Sequence, residues 1–91
     1  MNKAELVRIT ADRTGVSQKD ADKILSAAID TIIEELTRGG KVQLVGFGAF
    51  EVKERAARMG RNPKTNESIE IPAYRVPSFR PGKRLKEAME R

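Results

Sequence analysis

The sequence predicts an α+β fold in which helices come first and a sheet follows them. Apolar residues recur at helical spacing over residues 3–36 and at alternate positions after Gly39-Gly40. Pro81-Gly82 ends the alternating part, and a short helical pattern closes the chain. We therefore expect one domain with a three-stranded sheet that extends into a long β-hairpin. Its expected parts are a helical region (1–40), a sheet (41–82) with a hairpin arm at about 53–76, and a C-terminal helix (83–91).

Two N-terminal helices are predicted from periodicity and from their end signals. The first covers about Lys3 to Thr14 and stops at Gly15. Ser17 is a suitable cap for the second helix, which Gly39-Gly40 ends. The second helix has an apolar stripe over four turns: Ala21, Ile24, Leu25, Ala28, Ile29, Ile32, Ile33 and Leu36.

A DNA-binding helix-turn-helix is the alternative interpretation of this helix pair. A recognition helix should present Arg, Asn, Gln or Lys near its N-terminus to contact base edges. The second helix presents Asp20 and Asp22 there, and these carboxylates would repel phosphates. The sequence therefore favours a packing role for the pair.

The strands begin with the alternating run Lys41–Val45 and continue after a turn at Gly46-Phe47-Gly48. A phosphate-binding glycine loop is disfavoured, since no helix and no Walker lysine follow directly. Phe47, Phe50 and Phe79 are expected in the core or in a subunit interface. Base stacking remains open as their alternative role.

Composition limits the classes of function. The chain has no cysteine and no histidine, which removes thiolate chemistry, disulfides and the commonest general base and metal ligand. A 91-residue chain supports only a marginal core, so oligomerisation is expected. Neither a leader nor an apolar run of membrane-spanning length is evident, which predicts a soluble intracellular protein.

Charge is concentrated in the second half of the chain. The net charge of +5 divides into −1 over residues 1–52 and +6 over residues 53–91. From Lys53 to Lys64 there are five cations and one anion, so this ribbon cannot be packed inside a protein. We expect its partner to be a polyanion.

The basic ribbon and the return run Ser68–Val76 form the predicted hairpin arm. A turn centred near Lys64–Asn66 would place Arg55 roughly opposite Arg75, a like-charge pair that phosphates would relieve. At about 3.3 Å per residue, Lys53 to Pro63 would reach about 36 Å, enough to follow a DNA groove. Cations near the start of the last helix, including Lys83 and Lys86, oppose the helix dipole and suggest a nearby phosphate.

Five motifs stand out along the chain: Gly46–Val52, Arg55–Arg58, Gly60–Thr65, Ile71–Ala73 and Val76–Lys83. Together they strongly resemble the bacterial histone-like HU / integration host factor family, and the match covers essentially the whole chain. Within the family, the Arg55–Arg58 and Ile71–Ala73 segments are similar to HU. The resemblance implies an intertwined dimer with a helical base and two β-arms that embrace DNA.

The resemblance also implies roles for particular residues. Pro63 would intercalate between base pairs, and the minor groove would be lined by Arg58, Arg61, Asn62 and Lys64. The saddle and the DNA backbone would be contacted by Lys53, Arg55, Arg75, Arg80, Lys83 and Lys86. The dimer interface would contain Ile29, Ile32, Leu36, Leu44, Phe47, Phe50 and Phe79. The sequence departs from the family at Asn66, where glycine is usual, and at Ile9-Thr10, which shifts the apolar side of the first helix.

The expected protein is a non-enzymatic, cytoplasmic, nucleoid-associated DNA-bending protein without a cofactor, a metal or a membrane partner. It would bind duplex DNA in the minor groove with little sequence preference, and bent, nicked or distorted DNA more tightly. It would act as a homodimer, although the residues do not separate this from a heterodimer with a paralogue. An RNA- or single-strand-binding protein is one alternative, and a nuclease with a carboxylate–metal cluster is another.

Overall fold

A computed structural model describes residues 1–90 and has the predicted α+β fold. The chain forms two compact units, one from Met1 to Glu35 and one that begins at Leu36. The helices are α1 (Lys3–Thr14), α2 (Gln18–Thr37) and α3 (Lys83–Met89). The strands are β1 (Val42–Leu44), β2 (Gly48–Arg55), β3 (Arg58–Arg61), β4 (Ser68–Ile71) and β5 (Tyr74–Pro81).

Local capping determines where α1 and α2 begin and where α1 ends. The Asn2 side chain accepts a hydrogen bond from the backbone N–H of Glu5 at 2.9 Å, and the Ser17 hydroxyl accepts one from Asp20 at 3.0 Å. Gly15 has φ 77°, the left-handed conformation that ends a helix. The first helix therefore has the predicted bounds.

Few side chains of the first unit are buried. Val7 and Ala11 of α1 pack with Ala21 of α2, and Leu25 lies against them. At the surface, the Lys3 ammonium donates a hydrogen bond to the Ser26 hydroxyl at 2.8 Å and thereby links the two helices. Other apolar side chains of α2 remain in solvent, including Ile24, which is 64% exposed.

The second unit contains an antiparallel three-stranded sheet with the order β1-β2-β5. Strands β3 and β4 form a separate antiparallel ribbon. The β2–β5 pairing sets Phe50 opposite Phe79, and the Phe79 ring also lies 5.4 Å from that of Phe47, centroid to centroid. This ring cluster supports the core or interface role over base stacking. The start of α3 is attached to the β1–β2 turn, because Gly82 donates a backbone hydrogen bond to the Phe47 carbonyl at 2.8 Å.

The two ladders of the hairpin share one register. Extending the β2–β5 pairing beyond Arg55 and Tyr74 leads to the observed partnership of Arg58 with Ile71 in β3–β4. Pairing stops only between the two ladders, where Pro72 has no N–H to donate. The arm is therefore one hairpin with a break in the middle.

The predicted opposition of Arg55 and Arg75 is wrong. Arg55 pairs with Tyr74, and Arg75 pairs with Glu54. The turn is centred between Lys64 and Thr65, whereas an Arg55–Arg75 pair would require a turn centred on Thr65. This difference of half a residue moves every cross-strand partner by one position. The expected like-charge pair is replaced by an attractive one.

Candidate nucleic-acid interface

The tip of the hairpin is an ordered turn. The Asn62 backbone N–H donates to the Glu67 carbonyl at 2.9 Å, and the Asn66 N–H donates to the Asn62 carbonyl at 2.7 Å. These two bonds close the turn around Pro63, which is exposed. The Asn62 side chain also accepts from the Lys64 N–H at 2.9 Å, an Asx-type contact that suits a turn.

Asn66 allows this turn to form although it occupies a position where the resemblance expects glycine. Its φ is 60°, in the left-handed region that asparagine tolerates better than most residues. Its side-chain oxygen accepts a hydrogen bond from the Arg61 guanidinium at 3.2 Å. Arg61, Asn62 and Lys64 are thus brought together around Pro63.

Alternation along the hairpin divides the predicted cations between two faces. Within the β2–β5 ladder, Lys53, Arg55 and Arg80 lie on one face, together with Glu51. Arg75 lies on the opposite face, and Arg58 lies on β3 with Ile71 as its partner. The sequence placed these cations in one set, whereas the structure separates Arg75 from the others.

Arg75 has a structural contact that the sequence did not indicate. Its guanidinium donates a hydrogen bond at 3.0 Å to the carbonyl of Thr37, the last residue of α2. Carbonyl groups at a helix C-terminus lack partners within the helix and carry partial negative charge. Arg75 therefore caps α2, which reduces its availability for DNA.

The other cations near the sheet remain exposed and are at most weakly paired. Arg80 lies 3.5 Å from the Glu51 carboxylate, and Lys83 lies 3.9 Å from that of Glu87. The Lys83–Glu87 pair is exposed on both sides and contributes little, so a phosphate can replace its carboxylate at small cost, whereas the Glu51 carboxylate is half-buried and holds Arg80 more firmly. Within residues 1–90, Lys53 and Lys86 have no ion pair.

One exposed side chain that lies among these cations was not singled out from the sequence. Tyr74 lies directly opposite Arg55 at the start of β5 and is 47% exposed. The sequence did contain a signal for it, because this sole tyrosine is next to Arg75 in a basic strand. Its position on the same face as Lys53 and Arg55 becomes clear only from the register of the hairpin, which pairs Tyr74 with Arg55.

Residues 1–90 contain neither a membrane-spanning helix nor a metal-binding cluster of side chains. None of their helices has the length and apolar character that crossing a bilayer requires. Nor do these residues include a group of three or more acidic, cysteine or histidine side chains arranged to hold a metal ion.

Comparison with known proteins gives a consistent result over the full length. The family model described as bacterial DNA-binding protein matches residues 1–90. The DNA-binding protein HU of Geobacillus stearothermophilus is 58% identical over 90 residues, which cover 99% of this chain and 100% of that protein.

Solved structures of two HU proteins have the same fold. An Anabaena HU–DNA cocrystal structure is 57% identical with a TM-score of 0.91, and the match covers 99% of this chain and 98% of that one. HU from Thermotoga maritima is 39% identical with a TM-score of 0.72, covering 99% and 100%. The chain therefore belongs to the bacterial DNA-binding protein family, together with these HU proteins.

Proposed function

We propose that this protein is an architectural DNA-binding protein that bends and compacts duplex DNA in the nucleoid. The observation that carries the proposal is the hairpin arm. It keeps one register from the sheet to the tip, its cations are exposed, and it ends in an exposed proline. Membership of a DNA-binding family and the DNA complex of the Anabaena relative support the same partner. The protein is not an enzyme, and its place is the cytoplasm.

The arm binds the minor groove, and Pro63 enters a base step. A two-stranded ribbon is thin, and the narrow minor groove attracts arginine through its negative potential. The hydrogen bonds around the tip hold Pro63 at the end of the ribbon with Arg61 and Lys64 beside it. Unstacking one base step costs a few kcal/mol, which the extra contacts of bent DNA offset.

The functional unit is a dimer of two copies. Within residues 1–90, the buried hydrophobic side chains are only Val7, Ala11, Ala21 and Ala49, a small core for one chain. Each unit leaves apolar surface in solvent, and contiguous exposed apolar surface marks an interface. In the first unit this surface includes a cleft of about 380 Å³ between α1 and α2.

The proposed interface residues fit this role by their exposure. Phe47, in the second unit, is 47% exposed. The remaining proposed interface residues are half-buried or exposed in the single chain: Ile29, Ile32, Leu36, Leu44, Phe50 and Phe79.

Energy transfer between dyes on the two ends of a short random-sequence duplex tests bending. Wild type and Pro63→Ala are compared at equal occupancy, which is set by anisotropy. We expect the wild type to bring the ends together and the variant to bind but bend less, because its wedge is gone. Equal bending by both would show that Pro63 is not the wedge. No shortening by either would contradict an architectural role.

Salt dependence tests the electrostatic part of the proposal. If about eight phosphates are neutralised per dimer, the slope of log affinity against log salt is about −7. A slope near zero would contradict phosphate binding. Nicked duplex should bind more tightly than intact duplex because part of the deformation is already present. Tighter binding to matched RNA would point instead to an RNA-binding protein.

A further inference from the structure

Tyr74 is an aromatic side chain that the fold leaves in solvent. The three phenylalanines pack on one another, with the Phe79 ring centroid 5.4 Å from that of Phe47 and 5.0 Å from that of Phe50. Tyr74 is outside this cluster and is 47% exposed. An aromatic residue with a polar end that stays wet is typical of a binding surface, where tyrosine and arginine are both enriched.

The hairpin register places this ring among cations. Tyr74 is directly opposite Arg55, and Val76, the next residue on the same face of β5, is opposite Lys53. Directly opposed Cβ atoms lie about 5 Å apart and diagonal neighbours about 7–8 Å apart. A phosphate bound beside the Tyr74 ring is therefore within reach of the long Arg55 and Lys53 side chains.

The Tyr74 hydroxyl and the neighbouring cations Arg55 and Lys53 are available to contact a ligand. Across residues 1–90, the Tyr74 hydroxyl has no hydrogen-bond partner, and the Tyr74 ring has no aromatic or cation–π contact. In the same residues, neither Arg55 nor Lys53 has an ion pair. The phenolic O–H is a donor that can be used by a phosphate oxygen. Charged acceptors strengthen such a bond relative to a neutral one.

We propose that Tyr74 is a further DNA-contacting residue. Its hydroxyl donates a hydrogen bond to a phosphate that Arg55 and Lys53 neutralise, and its ring packs against the adjoining deoxyribose. This inference rests on the proposed function, and it adds a neutral contact at the base of the arm. Because Tyr74 carries no charge, the contact changes affinity without changing the number of counterions released.

Fluorine NMR can observe this residue alone, since the chain has one tyrosine and no tryptophan. The protein is labelled with 3-fluorotyrosine and titrated with a duplex of about 20 base pairs, a length that exceeds one helical turn of DNA. We expect the single resonance to shift and its H₂O/D₂O isotope shift to fall as the ring leaves solvent. An unmoved resonance at saturating DNA, with saturation shown by anisotropy, would overturn the proposal.

Tyr74→Phe isolates the hydroxyl, and Lys53→Gln is the matched charge control. We expect Tyr74→Phe to weaken binding by about 10- to 150-fold, the range of one hydrogen bond to a charged acceptor, with an unchanged salt slope. Lys53→Gln should make the slope shallower by about 1 for each phosphate that is no longer neutralised. Both variants should melt at the wild-type temperature, because neither side chain makes a polar contact with another part of residues 1–90.

The outcomes separate the two proposals. If wild-type protein fails to bind duplex DNA, or binds with no salt dependence, the proposed function itself is wrong. If wild-type protein binds with a steep slope but Tyr74→Phe binds equally well, only the proposed role of Tyr74 is wrong. A lower affinity of Tyr74→Phe accompanied by a lower melting temperature would assign Tyr74 to arm stability and would also overturn its role in DNA binding.

Discussion

Arg55 and Arg75 carry the same charge on adjacent strands, yet their replacement should have different consequences. The Arg75 guanidinium donates to the Thr37 carbonyl at 3.0 Å and lies opposite Glu54. Arg55 lies opposite Tyr74 and has no ion pair within residues 1–90. We predict that Arg75→Ala mainly lowers stability and that Arg55→Ala mainly lowers DNA affinity.

The expected loss of stability comes from the helix end. Arg75→Ala leaves the Thr37 carbonyl of α2 without its charged donor, at an exposed site. A cation or hydrogen bond there contributes about 0.5–1.5 kcal/mol. Arg55→Ala removes an exposed side chain without an ion-pair partner, so its effect on the unfolding free energy should be below about 0.5 kcal/mol.

For DNA binding the order is reversed, and we expect Arg55→Ala to have a larger effect than Arg75→Ala. If one phosphate fewer is neutralised, the log–log salt slope becomes shallower by about 0.9, or by about 1.8 for two arms. Arg55→Ala should show this change in full, whereas Arg75→Ala should show less than half of it. Urea denaturation at one fixed protein concentration measures stability, since dimer stability depends on concentration. Anisotropy of a labelled duplex over a range of salt concentrations measures the slope.

Arg75→Lys provides a matched control, because it keeps the charge and changes the geometry of the donor. Arg75→Lys should therefore have the wild-type salt slope and retain part of the stability that Arg75→Ala loses. The prediction is wrong if Arg75→Ala makes the salt slope as shallow as Arg55→Ala does and leaves the unfolding free energy unchanged. Arg75 would then be a DNA-contacting residue whose hydrogen bond to Thr37 contributes nothing to the unfolding free energy.

Three further predictions concern local features of the fold. Gly48→Ala would place its Cβ 2.5 Å from a ring carbon of Phe79, so we expect a loss of about 2–4 kcal/mol in urea denaturation. Gly39→Ala, at φ +82° in open space, is its control and should cost only about 1–2 kcal/mol. Asn66→Ala should raise the NMR-detected mobility of the tip, whereas Asn66→Gly should keep the turn and remove only the side-chain acceptor. Ser17→Ala should lower the unfolding free energy by about 1 kcal/mol because it removes the helix cap, and it should leave the salt slope unchanged.

The helices could be predicted because their determinants are local. Asn2, Gly15 and Ser17 act on backbone groups within a few residues, so the sequence contains both partners of each interaction. The observed α1 has the predicted bounds for this reason. The break between helical and alternating patterns is also local, which made the α+β class predictable.

Faces of the hairpin could not be predicted to the same degree. Side chains alternate with a period of two, so an error of half a residue in the centre of the turn exchanges the two faces. That centre is decided by the hydrogen bonds of Asn62 with Glu67 and Asn66, which no propensity specifies. The sequence therefore indicated a basic arm and its tip, but not that Arg55 faces Tyr74.

The order of the elements, the basic character of the arm and the residues at its tip can all be read from the sequence alone. These features depend on composition and on interactions between near neighbours. Two arrangements arise only in the folded chain: Arg75 caps α2 from 38 positions further along, and Tyr74 lies beside Lys53 and Arg55. Both depend on the pairing of distant segments, where the identity of a residue does not specify its partner.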